Sequence, residues 1–148
     1  MIGQYKQFSQ EDYENNNARA VAAVIKYMNS SGLYARENDD KYGVDILVYG
    51  RGYKHTANIE VEIKYNWKNG EDNFPYDTVQ LPERKRKFRD LPKSTEFWIL
   101  RPDLKAVVII PDTAVREEYL TEVPNYKIQS GEMFYKIPLS ECIVKSLV

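Results

Sequence analysis

The chain has a single cysteine, Cys142, and a single histidine, His55. One cysteine excludes an internal disulfide framework and makes a reducing, intracellular home the expectation. The histidine lies in Tyr53-Lys54-His55-Thr56 with no serine or cysteine partner at neighbouring positions, so it supports no nucleophile triad and reads as a surface residue. Long apolar runs are missing too. The longest aliphatic stretch, Ala106 to Ile110, is far too short to span a membrane, and Met1-Ile2-Gly3-Gln4-Tyr5-Lys6-Gln7 lacks the apolar core of a signal peptide. A soluble, cytoplasmic protein with no membrane partner is expected. Nor is there an excess of charge: 21 Lys and Arg stand against 22 Asp and Glu, for a formal net charge of -1. Such a chain does not coat nucleic acid non-specifically, and any contact with it has to be local.

Tyrosine, by contrast, is plentiful. Twelve tyrosines and 13% aromatic residues in a chain of 148 fit a packed α/β domain better than a disordered tail, and the length suits one domain, residues 1–148, with a core that needs no staples. The pattern that organises the chain lies between Ile59 and Lys64. Ile59, Val61 and Ile63 alternate with Glu60, Glu62 and Lys64, a period of two that puts three β-branched aliphatics on one face of a strand and three charges on the other. A solvated edge strand would explain such charges without further comment.

A second strand precedes it, Gly43-Val44-Asp45-Ile46-Leu47-Val48-Tyr49, with one acid in an apolar run. A carboxylate in that setting calls for a partner, a proton or a metal. Gly50-Arg51-Gly52 supplies a turn, so residues 44–49 pair with residues 58–65 as a hairpin that can bring Asp45 near Glu62 and Lys64.

Gly43-Val44-Asp45, a spacer of sixteen residues and Glu62-Ile63-Lys64 resemble the signature of the PD-(D/E)XK nuclease superfamily, with Val44 where the family name has proline. That superfamily includes restriction endonucleases and Holliday-junction resolvases. The resemblance spans roughly residues 9–110. It implies an α/β, restriction-endonuclease-like fold, a mixed central β-sheet flanked by helices. It also implies a metal-dependent DNA endonuclease with DNA as partner, on branched or otherwise structured DNA, and a homodimer as one way to cut both strands. Asp45 and Glu62 would bind Mg²⁺ or Mn²⁺ with the main-chain oxygen of Ile63, Lys64 would orient the attacking water or oppose developing charge, and Glu14 would match the family's first-helix acid.

The rest of the chain reads as follows. Ser9-Gln10-Glu11-Asp12 opens a helix whose apolar stripe is Ala18, Val21, Ala22, Ile25 and Met28, with Glu14 four residues before Ala18, and Ser30-Ser31-Gly32 ends it. Glu37-Asn38-Asp39-Asp40 is an exposed turn without the glycine and distal Glu of a calcium loop. The aromatic loop after Lys64, with Tyr65, Trp67, Lys68, Phe74 and Tyr76, either stacks on bases or folds back on the domain. Leu81-Pro82-Glu83 opens a helix through Arg84, Lys85, Arg86, Lys87 and Arg89, the one basic patch, read with Lys68 as nucleic-acid-binding. Residues 95–100 and 106–110 are buried central strands, Asp112-Thr113 caps a helix to about Leu120, residues 126–129 and 133–137 form a hairpin, and Ile143-Val144 is a last edge strand. Two further readings remain beside the nuclease: a catalytically inactive nucleic-acid-binding module on the same fold, and a structural or regulatory subunit.

Overall fold

The computed structural model describes residues 10–123 and 132–148, with side chains for 15–122 and 132–148. It begins with helix α1 (Gln10–Ser30), followed by strands β1 (Tyr34–Glu37), β2 (Ile46–Tyr49), β3 (His55–Ile63) and β4 (Thr78–Pro82). A 3-10 turn (Glu83–Lys85) leads into the short helix α2 (Arg86–Arg89), and then come β5 (Ser94–Leu100), β6 (Ala106–Pro111), β7 (Leu120–Val123), β8 (Glu132–Pro138) and β9 (Ile143–Ser146).

Six strands form a central sheet in the order β1-β2-β3-β5-β6-β9, and three form a smaller sheet, β4-β8-β7. Only β3 and β5 run parallel in the large sheet, with Glu60 opposite Phe97 and Glu62 opposite Ile99; its other pairs are antiparallel. A parallel pair needs a crossover, and residues 64–93 supply it, carrying β4 and α2 over one face of the sheet. The fold is therefore α/β with a mixed central sheet flanked by helices, as expected. The second sheet was not foreseen.

Two apolar layers sandwich the sheet. On one side Ala20, Val21, Val24 and Met28 of α1 pack on Ile46, Val48, Ile59, Val61, Trp98 and Leu100. The buried stripe of α1 is thus rotated from the expected one: Ala18 and Ala22 are exposed, Ile25 is half-buried, and Ala20 and Val24 take their places. Gly32, at φ +86°, closes the helix as anticipated, with Leu33 N–H donating to Met28 O and Gly32 N–H to Asn29 O, each at 3.2 Å. On the other side Phe97, Ile99, Val108 and Ile110 meet Val79, Leu81, Tyr135 and Ile137 of the small sheet, together with Trp67, Phe74 and Phe88 from the crossover.

Two expected elements differ. Residues 81–82 end strand β4, where Leu81 pairs with Tyr135 and Pro82 with Phe134 across the small sheet, and the expected helix starts only at Glu83, as a 3-10 turn that leads into α2. Residues 112–119 form two 3-10 turns, Asp112–Ala114 and Glu117–Tyr119, in place of an α-helix. Strand β8 pairs with β4 on one side and β7 on the other, and the expected strand at 126–129 lies outside the described residues. Among the described residues no helix is long and apolar enough to cross a membrane.

Candidate active site

Strand β3 lies between β2 and β5, so its charged face cannot be a solvated edge. Ile59, Val61 and Ile63 face α1, while Asn58, Glu60 and Glu62 point into the layer under the crossover. There each polar group finds a partner or an opening. Asn58 is buried, and its Nδ2 donates to Lys93 O at 3.2 Å and Thr95 Oγ1 at 3.4 Å; His55 Nε2 lies 2.7 Å from its Oδ1. His55 is therefore half-buried and engaged, not a free surface residue. Glu60, only 5% exposed, accepts from Asp45 N–H through Oε1 at 2.9 Å and forms an ion pair through Oε2 with Lys85 Nζ.

The register explains the first of those contacts. Ile46 pairs with Ile59, which sets Asp45 opposite Glu60 and makes Glu62 its diagonal neighbour on the same face. Asp45 Oδ2 in turn accepts from Val61 N–H at 2.8 Å, and its carboxyl lies against that of Glu60. Glu62 is half-buried, and among the described residues it has no hydrogen bond or salt bridge, though its charge acts on Lys85. Because Lys64 N–H donates to Leu100 O of β5 at 2.8 Å, strand alternation turns the carbonyl of Ile63 the other way, past the end of β2. Two clefts meet here. One of about 160 Å³ is lined by Asn17, Glu62, Ile63 and Tyr65; the other, of about 400 Å³, includes Asn17, Val44 and Asp45. Asn17, shared by both, was not singled out from the sequence.

The electrostatics follow from burial and crowding. Burial, and then the negative charge of Asp45, push the Glu60 carboxyl up to about 7, against the opposing pull of Lys85. Burial pulls the Lys85 ammonium down, but the charges of Glu60, Glu62 and Asp45 outweigh it and hold it above its ordinary value. A carboxyl that holds its proton more tightly in the folded chain contributes most below its unfolded value, and that contribution is lost as pH rises toward 7. In chelator, the protein is expected to lose up to about 3 kcal/mol of unfolding free energy from this group between pH 4.5 and 7. Urea titrations across that range check it: Glu60→Gln should flatten the dependence, and an identical slope in the variant would disprove the assignment.

The other expected site residues divide. Lys64 lies on the same face as Glu62, its Nζ 5.8 Å from the ring centroid of Tyr76. The aromatic loop folds back on the domain through some of its rings and not through others. Trp67 and Phe74 are buried and fold the loop back, whereas Tyr65 and Tyr76 are 63% and 44% exposed beside Lys64, with Asn16 Nδ2 donating to Tyr65 OH at 3.2 Å. Position 14 lies in α1, but the side chain of Glu14 is outside the described ones.

The basic segment is not one helix face. Lys85 turns inward to Glu60, Arg86 and Arg89 pair with Glu117 at 3.2 and 2.9 Å, and Arg89 also holds Asp90 at 2.8 Å. Among the described residues Arg84, Lys87 and Lys68 are exposed and form no salt bridge. The cost of clustered like charge is met within the fold, by the neighbouring Asp90 and by Glu60 and Glu117 from far along the chain.

Among the described residues no group of three or more His, Cys, Asp or Glu side chains is arranged to hold a metal ion. Among the residues that line the clefts, Asp45 and Glu62 offer carboxylates and Ile63 a carbonyl, an all-oxygen set that suits a hard divalent cation. That chemistry fits the metal the superfamily resemblance implies.

No family model matches the chain, and no curated protein matches it. Among solved structures it is similar to Hjc of Archaeoglobus fulgidus, a Holliday junction resolvase from an archaeal hyperthermophile. The two share 13% identity over 81% of this chain and 83% of that chain, with a TM-score of 0.48. At that level of likeness neither residue roles nor activity carry over, and the functional reading rests on the residues themselves.

Proposed function

We propose that the chain is a divalent-metal-dependent phosphodiesterase acting on DNA. The observation that carries this reading is the open end of the central hairpin. There Asp45, Glu62 and Ile63 line two clefts that share Asn17, with Lys64 next along the strand, and among the described residues Glu62 has no hydrogen bond or salt bridge. Groups this close to a core normally find partners, so a half-buried carboxylate open to a cleft argues for an external one.

Mg²⁺ or Mn²⁺ held by Asp45, Glu62 and the Ile63 carbonyl supplies Lewis-acid polarisation of a phosphodiester. The chain does the rest. The Val61 N–H fixes Asp45 Oδ2; Glu62 brings a second negative charge to the same end of the strand. The Lys64 ammonium, over the face of Tyr76, opposes charge that accumulates on the phosphate oxygens. Glu14 is proposed as a further acid, since its position is one turn before Asn17 in α1. Plasmid, single-stranded and branched DNA incubated with Mg²⁺ test the reading. Cleavage that chelator abolishes is expected, and no cleavage of any form with either metal overturns it. The panel also identifies the DNA form and, with gel filtration, whether a homodimer cuts.

A binding module without catalysis is the second reading, favoured by the absence of a three-acid group among the described residues. It predicts the same DNA affinity with and without metal, and no cleavage.

Either way, DNA contact falls to the cations that the fold leaves unpaired. Arg84→Gln and Lys87→Gln are each expected to lower the slope of log affinity against log salt by about one, uniformly across sequences. Arg86→Gln and Arg89→Gln, whose charges are already met by Glu117, should leave it unchanged. Salt titrations of DNA binding in chelator decide this, and equal slopes for all four variants would move the DNA away from α2, toward Lys68 and the Tyr65 and Tyr76 rings.

A further inference from the structure

We infer that Lys85 is a positioning residue of this acidic site, acting through Glu60 on Asp45. The inference rests on the metal-site reading above for its consequence, though not for its geometry. Asp45 precedes Ile46, the first residue of β2, and three hydrogen bonds fix it: its N–H donates to Glu60 Oε1 at 2.9 Å, its Oδ2 accepts from Val61 N–H at 2.8 Å, and its carbonyl accepts from Asn38 N–H at 3.0 Å.

The first bond lasts only while the Glu60 carboxylate keeps one orientation, and its other oxygen is held by Lys85 Nζ. The Lys85 side chain is itself 13% exposed, with Nζ 5.6 Å from the ring centroid of Phe88. It belongs to the 3-10 turn that follows directly on β4, so the small sheet and the crossover bear on the metal-binding end of the hairpin through this one side chain. Lys85 therefore differs in kind from Arg84 and Lys87. It is turned inward onto Glu60 and aims an acid. Residues that orient a ligand through a hydrogen bond typically change metal affinity by about 10- to 100-fold when removed.

The test compares wild type with Lys85→Met, Lys85→Arg and the double variant Glu60→Leu with Lys85→Met. Amide hydrogen exchange is read by NMR in chelator, and Mn²⁺ affinity by EPR of the free ion without DNA. In Lys85→Met the Asp45 amide should exchange about 10-fold faster or more, as a lost hydrogen bond implies, while Trp98 and Ile99 in β5 keep their protection. Mn²⁺ affinity should fall about 10- to 100-fold. Lys85→Arg should restore both, and the salt slope of DNA binding in chelator should stay at the wild-type value.

Unchanged Asp45 exchange and Mn²⁺ affinity in Lys85→Met overturn the inference. So does a salt slope lower by about one with Asp45 still protected, which makes Lys85 a phosphate contact. If the single variant does not fold, the double variant carries the test, because removing both buried charges together spares the core an unpaired ion. It too should expose Asp45 and bind Mn²⁺ weakly, and wild-type affinity there overturns the inference. A wild type that binds no Mn²⁺, yet whose Asp45 protection depends on Lys85, sinks the metal-site reading while the bracket stands.

Discussion

Asp45→Asn and Glu62→Gln are each expected to abolish Mg²⁺-dependent cleavage of DNA while the protein stays folded. Both changes keep the shape of the side chain and remove its charge. In Asp45→Asn the amide oxygen can still accept from Val61 N–H, and among the described residues Glu62 has no hydrogen bond to lose, so neither variant strands a donor there. What disappears is an anionic ligand. A Lewis-acid contribution of several kcal/mol corresponds to a rate loss of about 10³-fold or more, at the detection limit of a plasmid assay. Lys64→Met should lose cleavage but retain Mn²⁺ binding, since its ammonium is not a ligand. Glu14→Gln should cost less than Glu62→Gln. Wild-type rates in either carboxylate variant, with thermal unfolding unchanged, would sink the mechanism.

Trp67→Ala is expected to cost about 3–5 kcal/mol of stability, the largest effect of any single truncation in the crossover. Trp67 is fully buried. Its ring packs edge-on against Phe74 at 5.3 Å between centroids, the Arg101 guanidinium lies 5.8 Å from it, and its indole N–H donates to Glu71 O at 3.1 Å. Removing it leaves a cavity and takes one donor from Glu71 O, which Arg101 also uses. Trp67→Phe should recover most of the packing and lose about 1 kcal/mol for the missing hydrogen bond. Urea unfolding measures both, and a Trp67→Ala midpoint close to wild type would mean that the loop contributes little to the core. The same residue anchors the chain between Lys64 and Tyr76, so its loss should also loosen the rings that flank the site.

Much of this was legible in the chain because it is local. Alternation over Ile59 to Lys64 requires nothing beyond strand geometry, and it separates the aliphatic face that meets α1 from the charged face that does not. The continuous apolar runs at 95–100 and 106–110 announce strands covered on both sides, and they became β5 and β6. Gly32 is placed where a left-handed residue has to end a helix. The acids and the lysine of the candidate site were likewise readable, since their types and spacing sit within two neighbouring strands.

The register was not. A bulge between Val48 and Tyr49 and the 3-10 turn at Arg51–Tyr53 shift the pairing so that Asp45 meets Glu60, with Glu62 on the diagonal. No composition rule counts residues through such a turn. Leu81-Pro82-Glu83 looked like a helix start because proline favours a first turn, yet pairing with β8 drew Leu81 and Pro82 into a sheet whose other strands lie some fifty residues later.

By itself, then, the sequence determined the hairpin, its two faces and the acids available at its end, because periods of two and of three to four residues are properties of neighbours. Only the tertiary structure decided what those charges meet. The long crossover between β3 and β5 lays Lys85 on Glu60, Trp67 and Phe74 into the core, and Arg86 and Arg89 onto Glu117. Arg84, Lys87 and Lys68 are left open. Whether a lysine contacts DNA or braces a carboxylate depends on which oxygen lies within 3–4 Å of it, and that distance is set by chain segments 25 or more residues apart.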